Sequence, residues 1–185
     1  MAFNSRARVL DAEDISRVVR RISHEILERN KGSGDMTLVG VRTRGVFLAR
    51  RLATTIEEIE GGLVEVGELD VSFYRDDIAT RGGAAKVGVT QIDFDINDKQ
   101  VIIVDDVLFT GRTTRAAMDA LMDFGRPRSI QLAVLIDRGH RELPIRADYV
   151  GKNLPTAGDE KVKLSLVETD GEDSVVILDH EGEGE

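Results

Sequence analysis

The fold is decided by the run from residue 101 to residue 113, which reads Val101-Ile102-Ile103-Val104-Asp105-Asp106-Val107-Leu108-Phe109-Thr110-Gly111-Arg112-Thr113. Its first four side chains are β-branched and apolar, which is typical of a strand buried on both faces. Two carboxylates follow where we expect that strand to end, and helical spacing begins at Thr114. The run therefore predicts a parallel strand, a polar turn and a helix.

The turn has the composition of an anion-binding loop. Backbone N–H groups from Thr110 to Thr113 would point out of the helix N-terminus, where the helix dipole adds positive charge. Gly111 lets the backbone approach a ligand closely, and the hydroxyls of Thr110 and Thr113 can donate to a phosphate. The Gly-x-x-x-x-Gly-Lys spacing of the nucleoside-triphosphate P-loop is absent. Upstream, Asp105 and Asp106 suit the other end of a sugar phosphate, because two carboxylates can accept from vicinal hydroxyls or hold a divalent cation.

Composition restricts the class of protein. A chain of 185 residues with 41% hydrophobic residues predicts one domain, residues 1–185. Cysteine is absent, which fits a reducing cytosol, and we find no signal peptide and no apolar run of the ~20 residues that cross a bilayer. We therefore expect a cytoplasmic protein with no membrane partner. The net charge of -9 argues against general nucleic-acid affinity unless the cations are clustered.

A second strand and helix pair precedes this one. Residues 37–41 form a predicted buried strand, Arg42-Thr43-Arg44-Gly45 form a cationic loop, and a helix is predicted for residues 46–59. Ligands of α/β folds bind at the carboxyl ends of parallel strands, so this loop also belongs near the site. The next strand is predicted for residues 68–74.

Residues 75–98 form a long connection that contains the cations Arg81 and Lys86. Loops of this length in a compact domain are usually functional or disordered. We expect a mobile lid, or a hairpin that closes over anions.

The first helix begins at a predicted N-cap, Asp11, and buries an apolar stripe from Ile15 to Ile26. Off that stripe lie Arg17, Arg20, Arg21, His24 and Glu28. Such a face can be solvated surface, an interface between subunits or a contact for RNA.

Towards the C-terminus, strands are predicted for residues 129–136, 147–150, 162–167 and 174–178. The first of these carries Asp137-Arg138-Gly139-His140-Arg141 at its carboxyl end. The acidic residues 179–185 are expected to fray.

These stretches resemble the PyrR family, whose members are pyrimidine operon attenuators and uracil phosphoribosyltransferases. Three stretches carry the likeness: residues 101–113, 121–127 and 131–153. The first is shared with many type I phosphoribosyltransferases, whereas the last resembles PyrR proteins specifically. The resemblance implies an α/β fold of the type I phosphoribosyltransferase class, with a parallel sheet flanked by helices, a small hood and a flexible lid loop. It also implies transfer of the ribose 5-phosphate of phosphoribosyl pyrophosphate (PRPP) to uracil, giving UMP and pyrophosphate.

The resemblance implies roles for particular residues in that reaction. Arg44, Arg75 and a lid cation would stabilise the leaving pyrophosphate, together with Mg²⁺ that is bound through PRPP. Asp105 and Asp106 would hold the ribose hydroxyls. No direct protein ligand of Mg²⁺ is expected other than these two carboxylates. Asp106 is also a candidate general base, although a role as ribose ligand is favoured. The base would lie near Ile136 and Arg138, below hood backbone around Val162. The expected substrate-binding residues are Thr43, Arg44, Asp105, Asp106, Val107, Leu108, Phe109, Thr110, Gly111, Arg112, Thr113, Ile136, Arg138 and Val162.

The family also implies binding of a leader mRNA stem-loop when UMP or UTP is present, and assembly into homodimers or larger homo-oligomers. The expected RNA-binding residues are Arg17, Arg20, His24, Arg29, Arg141, Arg146 and Lys152. Clustered arginine side chains can bind phosphates and stack on unpaired bases. The alternatives are a uracil phosphoribosyltransferase without RNA regulation, a regulator without catalysis, and a purine phosphoribosyltransferase.

Overall fold

The computed structural model describes residues 3–74, 88–158 and 160–180. In chain order the elements are β1 (Phe3–Leu10), α1 (Ala12–Asn30), β2 (Met36–Val41), α2 (Arg44–Glu60), β3 (Val66–Leu69), β4 (Gln100–Leu108), α3 (Arg112–Met122), β5 (Ser129–Asp137), β6 (Tyr149–Asn153), β7 (Lys161–Ser165), α4 (Val167–Asp170) and β8 (Ser174–His180).

The main sheet has five parallel strands in the order β3-β2-β4-β5-β6. Strand β4 is the middle strand, and Ile103 is in register with Val39 of β2 and Leu132 of β5. The prediction of a parallel sheet organised around residues 101–104 is confirmed.

Side chains of β4 alternate between two apolar cores, because successive residues of a strand point to opposite faces. Ile102 and Val104 pack with residues of α1 and α2. Val101 and Ile103 pack with residues of α3 on the other face. Both faces of the strand are therefore covered by helices, which explains its continuous apolar sequence.

A second sheet contains three antiparallel strands in the order β1-β8-β7. We call this sheet, together with α4 and the described residues 154–158 and 160 before β7, the hood. It brings the two ends of the described chain together, since Leu10 of β1 is in register with Val175 of β8. Leu10, Leu164 and Val175 are buried in the core that α1 and α2 share. The sequence predicted β7 and β8 but not β1.

Helix α1 begins as predicted. The Asp11 carboxylate accepts a hydrogen bond from the backbone N–H of Asp14 at 2.9 Å, and the Asp14 carboxylate accepts one from the N–H of Asp11 at 3.2 Å. This reciprocal capping satisfies two N–H groups that the first turn leaves without helical partners.

Three predicted boundaries are wrong. Strand β4 continues through the two carboxylates to Leu108, because this part still pairs with β5 up to Asp137. Strand β3 ends at Leu69, since the Asp70 side chain accepts from the N–H of Ser72 and turns the chain. Strand β8 includes residues 179 and 180, which pair with β1 instead of fraying.

The expected lid divides into two parts. Residues 75–87 lie outside the described residues, so a lid there stays a prediction. Residues 88–98 lie against the domain: Gln91 exchanges two backbone hydrogen bonds of 2.8 Å with Glu68, and Ile96 is 0% exposed. This second part is therefore fixed by packing and does not fit a mobile lid.

Candidate active site

A cavity of about 370 Å³ opens where β4 ends and α3 begins. Its lining is Asp105, Val107, Leu108, Phe109, Thr110, Gly111, Arg112, Thr113, Thr114 and Glu142. The structure therefore brings the predicted phosphate loop and one of the two predicted ribose carboxylates into a single concave site. Asp106 does not line this cavity.

The loop is shaped by Gly111, the N-cap residue of α3, which has φ 92°. Other residues rarely adopt this conformation, and a Cβ at Gly111 would also lie 3.3 Å from the side chain of Ile145. The carbonyl of Gly111 accepts the first helical hydrogen bond from Arg115 at 2.9 Å. The N-terminal turn of α3 thus faces the cavity with its N–H groups and its positive dipole end.

A segment after β5 braces the same loop. The carbonyl of Thr110 accepts from the N–H groups of Glu142 and Leu143, at 3.0 and 3.2 Å. The Glu142 carboxylate accepts from Nε of Arg112 at 2.6 Å. Arg112 is therefore engaged with a neighbouring carboxylate at the cavity wall.

The two aspartates at the end of β4 differ in their surroundings. Asp105 is 8% exposed, and its Oδ1 accepts from the N–H of Asp106 at 2.9 Å. Asp106 is half-buried, and its Oδ1 accepts from the N–H of Val107 at 2.7 Å. The other oxygen of Asp106 has no hydrogen bond from the described residues, so it remains open to a ligand hydroxyl or a cation.

No group of three or more His, Cys, Asp or Glu side chains within the described ranges is arranged to hold a metal ion. Mg²⁺ commonly uses only one or two protein carboxylates and completes its shell with substrate oxygens and water. The oxygen donors of Asp105 and Asp106 fit that mode of binding.

The cationic loop after β2 starts with a cis peptide between Arg42 and Thr43. Thr43 is the N-cap residue of α2, and Arg44 is its first residue. Arg42 is a further cation of this loop, and we did not assign it to the substrate from the sequence. Arg42 and Arg50 both pair with Glu68. Close packing sets the loop against β4, because a Cβ on Gly45 would lie 2.4 Å from the carbonyl oxygen of Val104.

Arg44 points to the hood, where it donates two hydrogen bonds to Asp170. These two bonds are the largest cause of the low pKa of the Asp170 carboxyl, which lies far below its usual range. Arg75, Arg81 and Lys86 lie outside the described residues, so their predicted roles are not located here.

The base side of the site is built on Arg138, which is only 6% exposed. Its Nε donates to the Thr156 hydroxyl at 3.1 Å, and Nη2 donates to the Glu160 carbonyl at 2.8 Å. Its guanidinium carbon lies 4.0 Å from the ring centre of Phe109. Burial lowers the pKa of Arg138, although an arginine stays charged in proteins.

Phe109 combines exposure with rigid support. It is 37% exposed, and the His140 ring meets it edge-on at a centroid distance of 6.0 Å. Nε2 of His140 lies 2.6 Å from the carbonyl oxygen of Thr156, and must carry the hydrogen since a carbonyl only accepts. Phe109 is therefore a flat apolar surface beside the cavity, and the sequence did not single it out as one.

Two further residues were expected near the base. Ile136 is 0% exposed in the core of α1 and α2, so its side chain offers no stacking surface, and a base near residue 136 stays a prediction. Val162 lies on hood strand β7 in register with Ile177 and packs partly against the same core.

Several expected RNA contacts share one surface. Arg17, Arg20 and His24 are exposed on α1, and Lys152 is exposed on β6, the edge strand beside it. Helix and strand approach closely, since a Cβ on Gly151 would lie 2.6 Å from the side chain of Val18. We call the exposed cations of α1 and β6 the α1–β6 face.

Not every cation on this side is equally open. Arg17 pairs with Glu13 and Asp14 at 3.3 and 3.2 Å. Arg29 pairs with Asp148 at 2.8 Å and lies over the Tyr149 ring. Arg20, His24 and Lys152 are exposed on this side and have no ion pair among the described residues. Arg146 is exposed too, but it lines a pocket with Thr114 and Met118 of α3, on the other face of the main sheet.

Arg141 has a structural role, and its expected RNA contact stays a prediction. Its Nε donates to the carbonyl of Ile145 at 2.9 Å, its Nη1 to those of Phe109 and Gly139 at 2.8 and 3.2 Å, and its Nη2 to Asp137. All three nitrogens are used within the domain, so the guanidinium ties the segments around the cavity together.

The fold and this site together define a phosphoribosyltransferase. The family model of the phosphoribosyl transferase domain matches residues 5–169. Solved hypoxanthine phosphoribosyltransferases share the fold: one from Trypanosoma cruzi is 23% identical, with a TM-score of 0.72 over 96% of this chain and 98% of that chain. Another, from Staphylococcus aureus, is also 23% identical, with a TM-score of 0.63 over 82% of this chain and 79% of that chain.

Two curated relatives identify the family within the phosphoribosyltransferases. A bifunctional protein PyrR of Clostridioides difficile is 57% identical over 93% of this chain and 97% of its own length. One of Bacillus velezensis is 58% identical over 97% of this chain and 100% of its own length. The chain therefore belongs to the PyrR family, and the resemblance found in the sequence is confirmed. No helix of the described part is long and apolar enough to cross a membrane.

The structural role of Arg141 gives a prediction about stability. Arg141→Ala leaves the Asp137 carboxylate and three backbone carbonyls without their donor, and should lower the free energy of unfolding by about 1–3 kcal/mol. Arg20→Ala removes an exposed side chain and should change it by about 0.5 kcal/mol or less. Urea denaturation of both variants checks this, and equal stabilities would contradict the structural role of Arg141.

Proposed function

We propose that the chain transfers the phosphoribosyl group of PRPP to uracil at the β4–α3 cavity and binds the leader RNA of pyrimidine genes through the α1–β6 face. The observation that carries the enzymatic part is the cavity itself, in which a helix N-terminus, a glycine loop and a buried carboxylate line one space. Membership of the PyrR family supports both parts.

In the proposed reaction the 5-phosphate of PRPP binds the N–H groups and hydroxyls of residues 110–113. This places the ribose hydroxyls towards Asp105 and Asp106, at the end of β4. A carboxylate there favours the positive charge that develops on the ribose ring as the pyrophosphate departs. Binding both substrates in one cavity also removes much of the entropic cost of bringing them together.

The base would bind between Phe109 and the hood. One face of the Phe109 ring offers a stacking surface. Arg138 packs over the ring and also donates to the carbonyl of Glu160, so it holds the ring in place. As the bond between C1′ and the pyrophosphate oxygen breaks, the bond from uracil N1 to C1′ forms and N1 loses its proton. We assign Asp106 to the ribose, and the proton from N1 passes to the released pyrophosphate or to water.

The leaving pyrophosphate would lie near the loop of Thr43 and Arg44, with Arg75 contributing from outside the described residues. Mg²⁺ that enters with PRPP supplies further positive charge to the pyrophosphate. The residues that would hold it are Asp105 and Asp106, with PRPP oxygens providing the other ligands.

RNA binding would use the cations that the α1–β6 face leaves open. Arginine and lysine attract phosphates over a short range even on an acidic chain, and arginine can stack on unpaired loop bases. UMP or UTP in the cavity would act as the effector. This function places the protein in the cytoplasm, and we expect a homodimer or a larger homo-oligomer.

A second candidate is the enzyme without RNA regulation. It is favoured by the ion pairs that occupy Arg17 and Arg29, and by the internal role of Arg141. These contacts leave Arg20, His24 and Lys152 as the expected RNA contacts of the α1–β6 face that have no ion pair among the described residues.

The enzymatic assignment is tested by Arg44→Ala. Loss of one charged donor to the leaving group should lower kcat for UMP formation from uracil and PRPP by about 100-fold, while UMP affinity stays nearly unchanged. Arg51→Ala is the matched control, because Arg51 also joins α2 to α4 but lies outside the loop. Equal loss of transfer and of UMP affinity in Arg44→Ala would contradict the role of Arg44, and no transfer by the unmodified chain would contradict the enzymatic function.

The regulatory assignment is tested by filter binding to the leader RNA of the protein's own pyrimidine operon, with and without UMP. Arg20→Ala combined with Lys152→Ala should weaken binding and reduce the salt slope by about two, one for each phosphate contact, while transfer persists. Arg126→Ala is the control, because Arg126 is exposed beyond α3, on the opposite face of the main sheet from α1. Absence of RNA binding at low salt would favour the enzyme without regulation.

A further inference from the structure

Two ion-pair clusters join α2 to the hood, and both involve the short helix α4. Arg44 and Arg51 lie about two turns apart on α2 and therefore share a face. Arg51 pairs with Glu168 at 2.6 Å and with Asp173 at 2.7 Å, whereas Arg44 pairs with Asp170. Both clusters join an arginine of α2 to carboxylates at α4, but Arg51 has two carboxylate partners and Arg44 has one. Only Arg44 belongs to the loop that we assign to pyrophosphate.

The pair of Arg44 and Asp170 is side-on. Nε of Arg44 donates to Oδ2 at 3.2 Å, and Nη2 donates to Oδ1 at 2.8 Å. Two parallel bonds of this kind fix the plane of a guanidinium as well as its position. They leave Nη1 without an acceptor among the residues of the described ranges.

Asp170 is itself held in place. Its Oδ2 accepts from the Thr169 hydroxyl at 2.6 Å and from the N–H of Leu166 at 3.0 Å. Hydrogen bonds from Arg44, then from Thr169 and Leu166, keep the pKa of this carboxyl far below its usual range. The carboxylate therefore stays charged at neutral pH, and the orientation of Arg44 does not depend on an uncertain protonation state.

We propose that Asp170 is a positioning residue, which holds Arg44 side-on so that its free Nη1 edge binds the departing pyrophosphate. This inference rests on the proposed function, because that function assigns Arg44 to the leaving group. A guanidinium that is fixed in advance loses less conformational freedom when the anion arrives, and it is in place when charge develops. The hood would then serve both ends of the reaction, the base through β7 and the leaving group through α4.

The test compares Asp170→Asn with Asp173→Asn. Each variant removes one carboxylate between α2 and the hood, but only the first loosens Arg44. Asp170→Asn should raise the KM for PRPP and the inhibition constant of magnesium pyrophosphate about tenfold, with UMP affinity unchanged. Asp173→Asn should leave both constants within about twofold, and thermal unfolding of both variants reports any general loosening of the hood.

A double-mutant cycle shows whether Asp170 acts through Arg44. In an Arg44→Lys background, which lacks the planar fork, Asp170→Asn should have no further effect on pyrophosphate affinity. An equal effect in both backgrounds would overturn the proposal. So would equal changes in Asp170→Asn and Asp173→Asn, or tighter pyrophosphate binding by Asp170→Asn, which would mean that Asp170 withholds Arg44 from the anion.

Different measurements would contradict the proposed function and the positioning role of Asp170. Absence of UMP formation by the unmodified chain contradicts the proposed function. Calorimetric titration with magnesium pyrophosphate needs no turnover, so it still decides the role of Asp170 in that case. Equal pyrophosphate affinities of the unmodified chain and Asp170→Asn, or no binding by either, would overturn the positioning role.

Discussion

The structure depends on the parallel pairing of β4 between β2 and β5. Because these three strands run in the same direction, the segments that follow each of them meet at one edge of the sheet. The phosphate loop follows β4, the cationic loop follows β2, and Arg138 follows β5. Pairing with β5 continues through Asp105 as far as Leu108, so the same hydrogen bonds that build the sheet also fix the backbone of the site.

Close approach of backbone segments makes this edge compact. Gly45 sets the start of α2 directly against β4, and Gly111 turns the chain from β4 into α3 against Ile145. Arg141 then ties Phe109 to Asp137 and Ile145. The site is therefore braced by backbone carbonyls and small residues.

The hood adds contacts to Arg138 and to α2 that the parallel sheet does not supply. Its strands come from both ends of the described chain, and it reaches the site through Thr156 and the carbonyl of Glu160, both bound to Arg138. It reaches α2 through the arginines Arg44 and Arg51. The hood thus lies beside the part of the site where we propose that the base binds.

The elements that depend on neighbouring residues in the sequence were predicted correctly. The apolar run at residues 101–104 gave β4, Asp11 gave the start of α1, and the Thr-Gly-x-Thr order gave the loop before α3. The end of β4 was not predictable, because pairing with β5 outweighs the low strand propensity of two aspartates. Partners of arginine side chains were not predictable either: Asp170 lies 126 residues from Arg44 in the chain, and Arg141 looked like a free surface cation until its four acceptors were located.

The central claim is that the β4–α3 cavity and the hood together form one nucleotide site. A crystal structure of the protein with UMP tests it most directly. The account predicts the phosphate within hydrogen-bond distance of the N–H groups of residues 110–113, the ribose hydroxyls at Asp105 or Asp106, and the uracil ring against Phe109. UMP bound on the α1–β6 face, or bound with its phosphate away from residues 110–113, would contradict the claim.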